Sequence, residues 1–204
     1  MDARKKWDAL TQEQRNKLLE DYRYFNVDYD WWDGVYDTFK DDMEQIGIRA
    51  DKIYFTGFYS QGDGACFEGH VTDWGKFLTA CGEDKAAKFF SLYTPDISMS
   101  WTHHGRYYHE ECTSFTYDLG VENPHDEEDD PLRFTAYDRE YSMDGPITHI
   151  DKDLIEFVKG QMRDLYRQLE EEYEGLTSDE AVIETIFSHA ENELDELLEE
   201  AVEI

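Results

Sequence analysis

The sequence predicts an α+β fold: an antiparallel sheet of about four or five strands built from hairpins, packed by N-terminal helices and two long C-terminal helices. Three observations carry this expectation. Apolar residues recur at three- and four-residue spacing in 1–50, alternate with polar ones in 51–145, and return to helical spacing in 150–204. The middle stretch is punctuated by glycine-containing turns between β-prone runs, the pattern of hairpins. The 204 residues are 40% hydrophobic and 15% aromatic, enough for one sizeable core, so a single domain over 1–204 is expected.

The elements follow in order. Thr11 with Gln14 three residues on reads as a capping box, opening a helix that carries Leu18, Leu19 and Tyr22 inward. A second helix starts after Asp30, places Val35, Tyr36, Phe39, Met43 and Ile46 on one face, and stops at Gly47. From Asp51 the period becomes two. Lys52–Phe58 reads as a strand, Ser60–Gly64 as a turn and Ala65–His70 as the returning strand. Short helices are expected over Asp73–Ala80 and Asp84–Phe90. A second hairpin runs from Ile97–Trp101 through a turn at His103, His104 and Gly105 to a strand over Tyr107–Tyr117. Asp118–Pro131, with five successive acids at Asp126–Asp130, reads as a solvated loop, and Arg133–Tyr137 as one more strand.

The last third is helical. Asp151 or Asp153 caps a helix with Leu154, Ile155, Val158, Met162, Leu165, Tyr166, Leu169 and Tyr173 on one face, ending near Gly175. Thr177-Ser178-Asp179-Glu180 reads as a second capping box. It opens a helix whose stripe is Val182, Ile183, Ile186, Phe187, Ala190, Leu194, Leu197, Leu198 and Ala201.

Charge narrows the function. With 49 Asp and Glu against 19 Lys and Arg, the formal charge is −30, which repels nucleic acid and anionic membrane. The five Trp, 14 Tyr and 12 Phe nonetheless mark a chain that folds. No apolar stretch approaches the roughly 20 residues that span a bilayer, and Met1–Trp7 lacks the apolar segment of a signal peptide. Three cysteines, Cys66, Cys81 and Cys112, lack the spacing of a disulfide framework or a structural zinc site. A reducing cytoplasm is the expected setting, and no cofactor is implied.

After Arg167 there is no Lys or Arg and the carboxylates crowd together. The candidate partner-binding residues are Glu170, Glu171, Glu174, Glu184, Glu191, Asp195, Glu196, Glu199 and Glu200. Carboxylates three or four apart on a helix lie about 5–6 Å from one another, comparable to the advance of phosphates along a nucleic-acid strand. Such a ladder fits a groove built for DNA or RNA. Acidity also serves solubility or a halophilic setting, and the acid-rich loops at Asp28–Asp33 and Asp126–Asp130 fit that whole-surface reading.

Two other clusters invite chemistry. Ser60, Gln61, Gly62, Asp63 and Gly64 form a glycine-rich loop, but no GxxxxGK[ST] or GxGxxG pattern is present and no base lies in the run, so a tight hairpin is the plainer account. His103, His109 and Glu111 are a weak alternative as metal ligands for a hydrolase, since a turn at Gly105 brings His103 toward His109. No nucleophile elbow surrounds Ser60, and Cys66 and Cys112 read as strand thiols.

GFYSQGDGACFEG at Gly57–Gly69, GRYYHEECTSF at Gly105–Phe115 and LEEEYEGLTSDEAVIETI at Leu169–Ile186 together resemble a family of small acidic proteins carried by bacteriophages and prophages, some labelled antitoxin-like. The resemblance implies a bacterial cytoplasm and an accessory, anti-defence role, with no assigned reaction. With the charge, it leads to an inhibitor of a basic, nucleic-acid-binding host protein, with no direct nucleic-acid or membrane partner. Neutralisation of a toxin and metal-assisted hydrolysis stand as alternatives.

Overall fold

The computed structural model describes residues 3–83, 87, 97–118 and 147–188. Their architecture is α+β, in the order α1 (Ala3–Ala9), α2 (Gln12–Tyr22), a 3-10 turn (Phe25–Val27), α3 (Asp33–Gln45), β1 (Ile48–Phe55), β2 (Ala65–Val71), α4 (Trp74–Ala80), β3 (Ser98–His103), a 3-10 turn (Glu110–Cys112), β4 (Thr113–Asp118), α5 (Ile147–Leu176) and α6 (Asp179–Ser188). The chain divides into two compact units, residues 36–167 and residues 1–35 with 168–204.

In the first unit the four strands form one antiparallel sheet in the order β1-β2-β3-β4. Gly47 ends α3 with φ +79° and lies against Asp73, whose carbonyl a methyl group would strike. Thr72 and Asp73 both donate backbone N–H groups to its carbonyl. β1 therefore starts at Ile48, four residues before the start the sequence predicts. The alternation is hidden by a register shift between Ala50 and Lys52, which puts Ile48 and Ala50 in phase with each other but not with Ile53. The strand also stops earlier than expected, at Phe55: the next ladder bond is lost, Gly64 N–H donating to the Thr56 side-chain Oγ1 at 3.2 Å, and Gly57 leaves the extended conformation at φ +139°.

The second hairpin differs more. β3 and β4 pair over six residues from Ser98↔Asp118 to His103↔Thr113, and His104 N–H donates to Cys112 O. Tyr107–Cys112, expected as strand, is the connection instead. His109 caps the 3-10 turn, its Nδ1 accepting from Glu111 N at 3.2 Å.

Phe67 and Trp101 centre the core of this unit, their rings 5.4 Å apart, with Phe39 of α3 5.2 Å from Phe67. Phe77 of α4 meets Phe157 of α5 at 5.8 Å. Leu154, Val158, Met162 and Leu165 of α5 are fully buried, the stripe the sequence predicts. Each such side chain contributes about 1.5–3 kcal/mol by leaving water.

In the second unit Trp7, Leu10, Leu18, Leu19, Val182 and Ile186 share one core, with Tyr22, Ile183 and Phe187 packed against it. The N-terminal helices α1 and α2 thus bury their apolar faces with α6. α1 itself was not legible: it is one short helix with a single core anchor, Trp7, stacked edge-on to Phe187 at 6.0 Å. The capping box at Thr11 is present, Thr11 N donating to Gln14 Oε1 at 2.9 Å and Gln14 N to Thr11 Oγ1 at 3.3 Å.

The second capping box is not. Ser178 caps α6 by accepting from Ala181 N at 3.2 Å, and position N3 is therefore alanine, which cannot reciprocate. Thr177 Oγ1 instead donates to Tyr173 O at 2.8 Å, at the end of α5. The expected strand at Arg133–Tyr137, the loop after Asp118, the helix over Asp84–Phe90 except Ala87, and the chain beyond Ser188 lie outside the described residues. No helix among the described residues is long and apolar enough to cross a membrane.

Candidate functional site

Two of the sequence-predicted regions are built in detail. The first is the glycine-rich loop. Asp63 Oδ2 accepts from Tyr59 N at 2.9 Å and Ser60 N at 2.7 Å, and Gly64 N donates to Thr56 Oγ1 at 3.2 Å, so the loop satisfies its own backbone. Gly62, with φ +96°, lies under the Tyr107 ring, and Gly64 lies against the Tyr108 carbonyl, each too close for a Cβ. The glycines thus serve close approach of the two hairpin ends, GFYSQGDG against RYYH. Tyr166 Oη closes the other side by donating to Gly57 O at 3.2 Å.

Beside this contact Tyr54, His103 and Tyr108 form a ring cluster with centroids 4.8–5.2 Å apart. Glu68 Oε1 accepts from Tyr54 Oη at 3.0 Å and from His103 N at 3.1 Å, so a carboxylate sits where the short β2–β3 ladder ends. Sequence reading missed Glu68, since nothing in ACFEGH marks its carboxylate as a substitute for a ladder bond. Burial pushes the neighbouring Cys66 thiol up to about 12, helped by Cys112, Glu68 and Glu110, so it is a protonated core thiol.

His103, His109 and Glu111 do not converge. His103 Nε2 is 3.2 Å from Tyr107 O, His109 lies 3.4 Å from Glu110, and Glu111 pairs with Lys159 at 2.8 Å. The hydrogen bond from Lys159, with its charge, holds the Glu111 carboxyl below its ordinary value. Among the described residues no group of three His, Cys, Asp or Glu side chains is arranged to hold a metal.

The second region is the acidic end. Glu170, Glu171, Glu172 and Glu174 stand exposed near the end of α5, and Asp179, Glu180 and Glu184 stand exposed on α6. Leu169, Val182 and Ile186 on the opposite faces are buried. Arg23 crosses to Asp179 at 2.6 Å and donates to Thr177 O at 2.8 Å. Glu170 and Glu174, like Glu180 and Glu184, are four apart and so neighbours on one helical face. Glu191, Asp195, Glu196, Glu199 and Glu200 lie outside the described residues.

An aromatic turn, which the sequence reading did not single out, adjoins this end. Tyr24, Phe25 and Tyr29 are exposed, and Asn26 between them is fastened to the α5–α6 junction: its Nδ2 donates to Leu176 O at 3.1 Å and its Oδ1 accepts from Thr185 Oγ1 at 2.8 Å. The signal available was the run YRYFNVDYDWWD itself, too aromatic for an ordinary surface loop.

Compared with curated proteins and with solved structures, the chain shows no match. Residues 31–179 match a family described as a domain of unknown function, DUF8835, a span that takes in the whole sheet and α5 and stops at the first residue of α6. The match covers well over half of the sequence, and the chain belongs to the DUF8835 family.

Proposed function

We propose that this chain is a binding protein, not an enzyme, and that it engages a basic, nucleic-acid-binding protein through its acidic end. The observation that carries the reading is the arrangement of Glu170, Glu174, Glu180 and Glu184 as exposed pairs four apart, on helices whose other faces are buried. No Lys or Arg follows Arg167, so these carboxylates repel one another until a cationic surface meets them. Their spacing of about 5–6 Å suits Lys and Arg side chains placed to grip successive phosphates. Taken with the resemblance to acidic phage and prophage proteins, the partner is a bacterial nuclease or other defence effector, and the consequence of binding is loss of its access to nucleic acid.

The test is capture of partners from a bacterial lysate by the tagged full-length chain, eluted in rising salt, alongside the variant Glu170→Gln, Glu174→Gln, Glu180→Gln, Glu184→Gln. The expected partner binds DNA or RNA, releases it when the chain is added, and is eluted by moderate salt. If each of the four carboxylates engages one cationic group, the variant lowers the slope of log affinity against log salt by roughly 3–4, by analogy with counterion release at phosphates. A partner held equally by both proteins and indifferent to salt would sink the reading.

A further inference from the structure

Exposed aromatic rings are concentrated beside the acidic end. Tyr24 and Tyr29 are 62% and 63% exposed and Phe25 43%, three of the six large hydrophobic residues exposed among the described residues, all within six positions. Neither the Tyr24 nor the Tyr29 side chain has a hydrogen bond or ring contact among the described residues. The turn that carries them is nevertheless held firmly. Val27 N donates to Tyr24 O, Asp28 N to Phe25 O, Asn26 bonds Leu176 O and Thr185 Oγ1, and Arg23 is tied to Thr177 O and Asp179. Rings presented to water by an ordered turn leave little backbone entropy to lose on binding, and Tyr has only two side-chain torsions to fix.

The surrounding charge identifies the occupant. Asp28, Asp30 and Asp33 are exposed in the same stretch, Thr185, which fastens Asn26, directly follows the exposed Glu184, and no Lys or Arg lies between Arg23 and Lys40. That sign repels the phosphate backbone of a nucleic acid and anionic lipid, the other partners that exposed aromatics serve. A guanidinium suits both parts of the surface at once: its plane stacks on a tyrosine face while its N–H fork reaches a carboxylate. An ammonium does the second well and the first less well. We infer that Tyr24 and Tyr29, with the exposed Asp28 and Asp30 of the same stretch, form an arginine-selective docking surface for an arginine-rich segment of the partner. The inference rests on the proposed function and adds to it the side-chain chemistry that the acidic end selects.

The experiment measures binding of nona-arginine and nona-lysine peptides to the full-length chain by fluorescence anisotropy at low and moderate salt. The expected result is tighter binding of nona-arginine, with Tyr24→Ala/Tyr29→Ala losing about tenfold of that affinity and most of the preference. Tyr24→Phe/Tyr29→Phe keeps both rings and is expected to keep most of both, since an exposed hydroxyl is not what stacks. The residues are exposed, and an unchanged circular dichroism spectrum shows that the variants fold. Equal affinity for the two peptides, unaltered by the alanine pair, overturns this inference and leaves the acidic binding surface standing. Loss of the preference in the phenylalanine pair also overturns it, because the hydroxyls would then be the contact. Failure of either peptide to bind the unaltered chain at low salt overturns the acidic surface itself.

Discussion

Adding one methyl group at Gly62 tests whether the two hairpin ends meet as described. At φ +96° an alanine is strained by about 1–2 kcal/mol whatever surrounds it. Its Cβ would also lie 2.5 Å from Tyr107 Cε1, so the ring must swing away. Tyr107 is 48% exposed, so about half of a 150–250 Å² side chain, roughly 100 Å², is packed against the loop. At ~25 cal/mol per Å², losing that packing costs about 2.5 kcal/mol. Gly62→Ala should therefore destabilise by about 3.5–4.5 kcal/mol and Tyr107→Ala by about 2–2.5 kcal/mol. The double variant should lie near the glycine change alone, since the ring is lost once, leaving a coupling of about 2 kcal/mol. Gly105→Ala is the control: φ is +86° with nothing within 4 Å, so only the backbone strain of about 1–2 kcal/mol applies. Urea unfolding followed by both circular dichroism and tryptophan fluorescence gives the numbers and exposes any departure from a single transition. Additive effects at 62 and 107, or equal effects at 62 and 105, would refute the contact.

Three further outcomes are expected. Gly160→Ala and Gly175→Ala, both within α5 and without a close neighbour to a new methyl, should each stabilise by about 0.5–1 kcal/mol in the same unfolding assay. Ser178→Ala should cost about 1 kcal/mol as loss of the α6 cap, exceeding the effect of Thr177→Ala, which removes only a bond to the end of α5; the reverse order would restore the capping box read from the sequence. The buried Cys66 thiol, raised from 9.0 to about 12, contributes stability that is fully present below the unfolded-state value and is lost as pH rises through that window. Between pH 8 and 10 the unaltered chain should lose on the order of 1 kcal/mol more than Cys66→Ala, and parallel pH profiles would show that the thiol does not titrate as described.

The helical parts of the fold were legible where a buried stripe runs unbroken. Leu154, Val158, Met162, Leu165 and Leu169 mark α5 at helical spacing, and all five are buried. The strands were legible only between irregularities. The shift at Ala50/Lys52 hid the start of β1, and the segment Tyr107–Cys112 mimics a strand because Tyr, Tyr, His and Cys suit one, although the Tyr107 ring covers Gly62, the Tyr108 carbonyl lies on Gly64 and the Tyr108 ring packs with Tyr54 and His103. Glycines announce close approach in a sequence but not what approaches. The exposure of Glu170, Glu174 and Glu184 was legible because helical spacing alone places them opposite the buried stripe, whereas Glu180 was not among the candidates. The rings at Tyr24 and Tyr29 were not legible, because composition makes an aromatic residue a core candidate by default, and the bonds of Arg23 and Asn26 that fix the adjoining turn are tertiary.

The same magnitudes explain how α5 and α6 tolerate their charge. Each like-charged pair four apart opposes a helix by about 0.2–0.5 kcal/mol, and each carboxylate in a last turn opposes the macrodipole by about 0.3–1 kcal/mol. Glu170 with Glu174, Glu180 with Glu184, and the acids closing α5 therefore oppose folding by about 1–3 kcal/mol, partly offset by Asp179 and Glu180, which stand in the first turn of α6 where the dipole favours them. Burial of Leu169, Val182 and Ile186 contributes about 1.5–3 kcal/mol apiece, which is larger. Helix formation is thus decided by the inner face, and the outer face is released from the alternation of signs that a helix relying on surface pairs must keep. Repulsion stored there is relieved when cations arrive, so the same carboxylates that oppose one another in the free chain would favour the proposed complex. Added salt, by screening that repulsion, should strengthen the free fold while weakening partner binding, two opposite responses from one set of side chains.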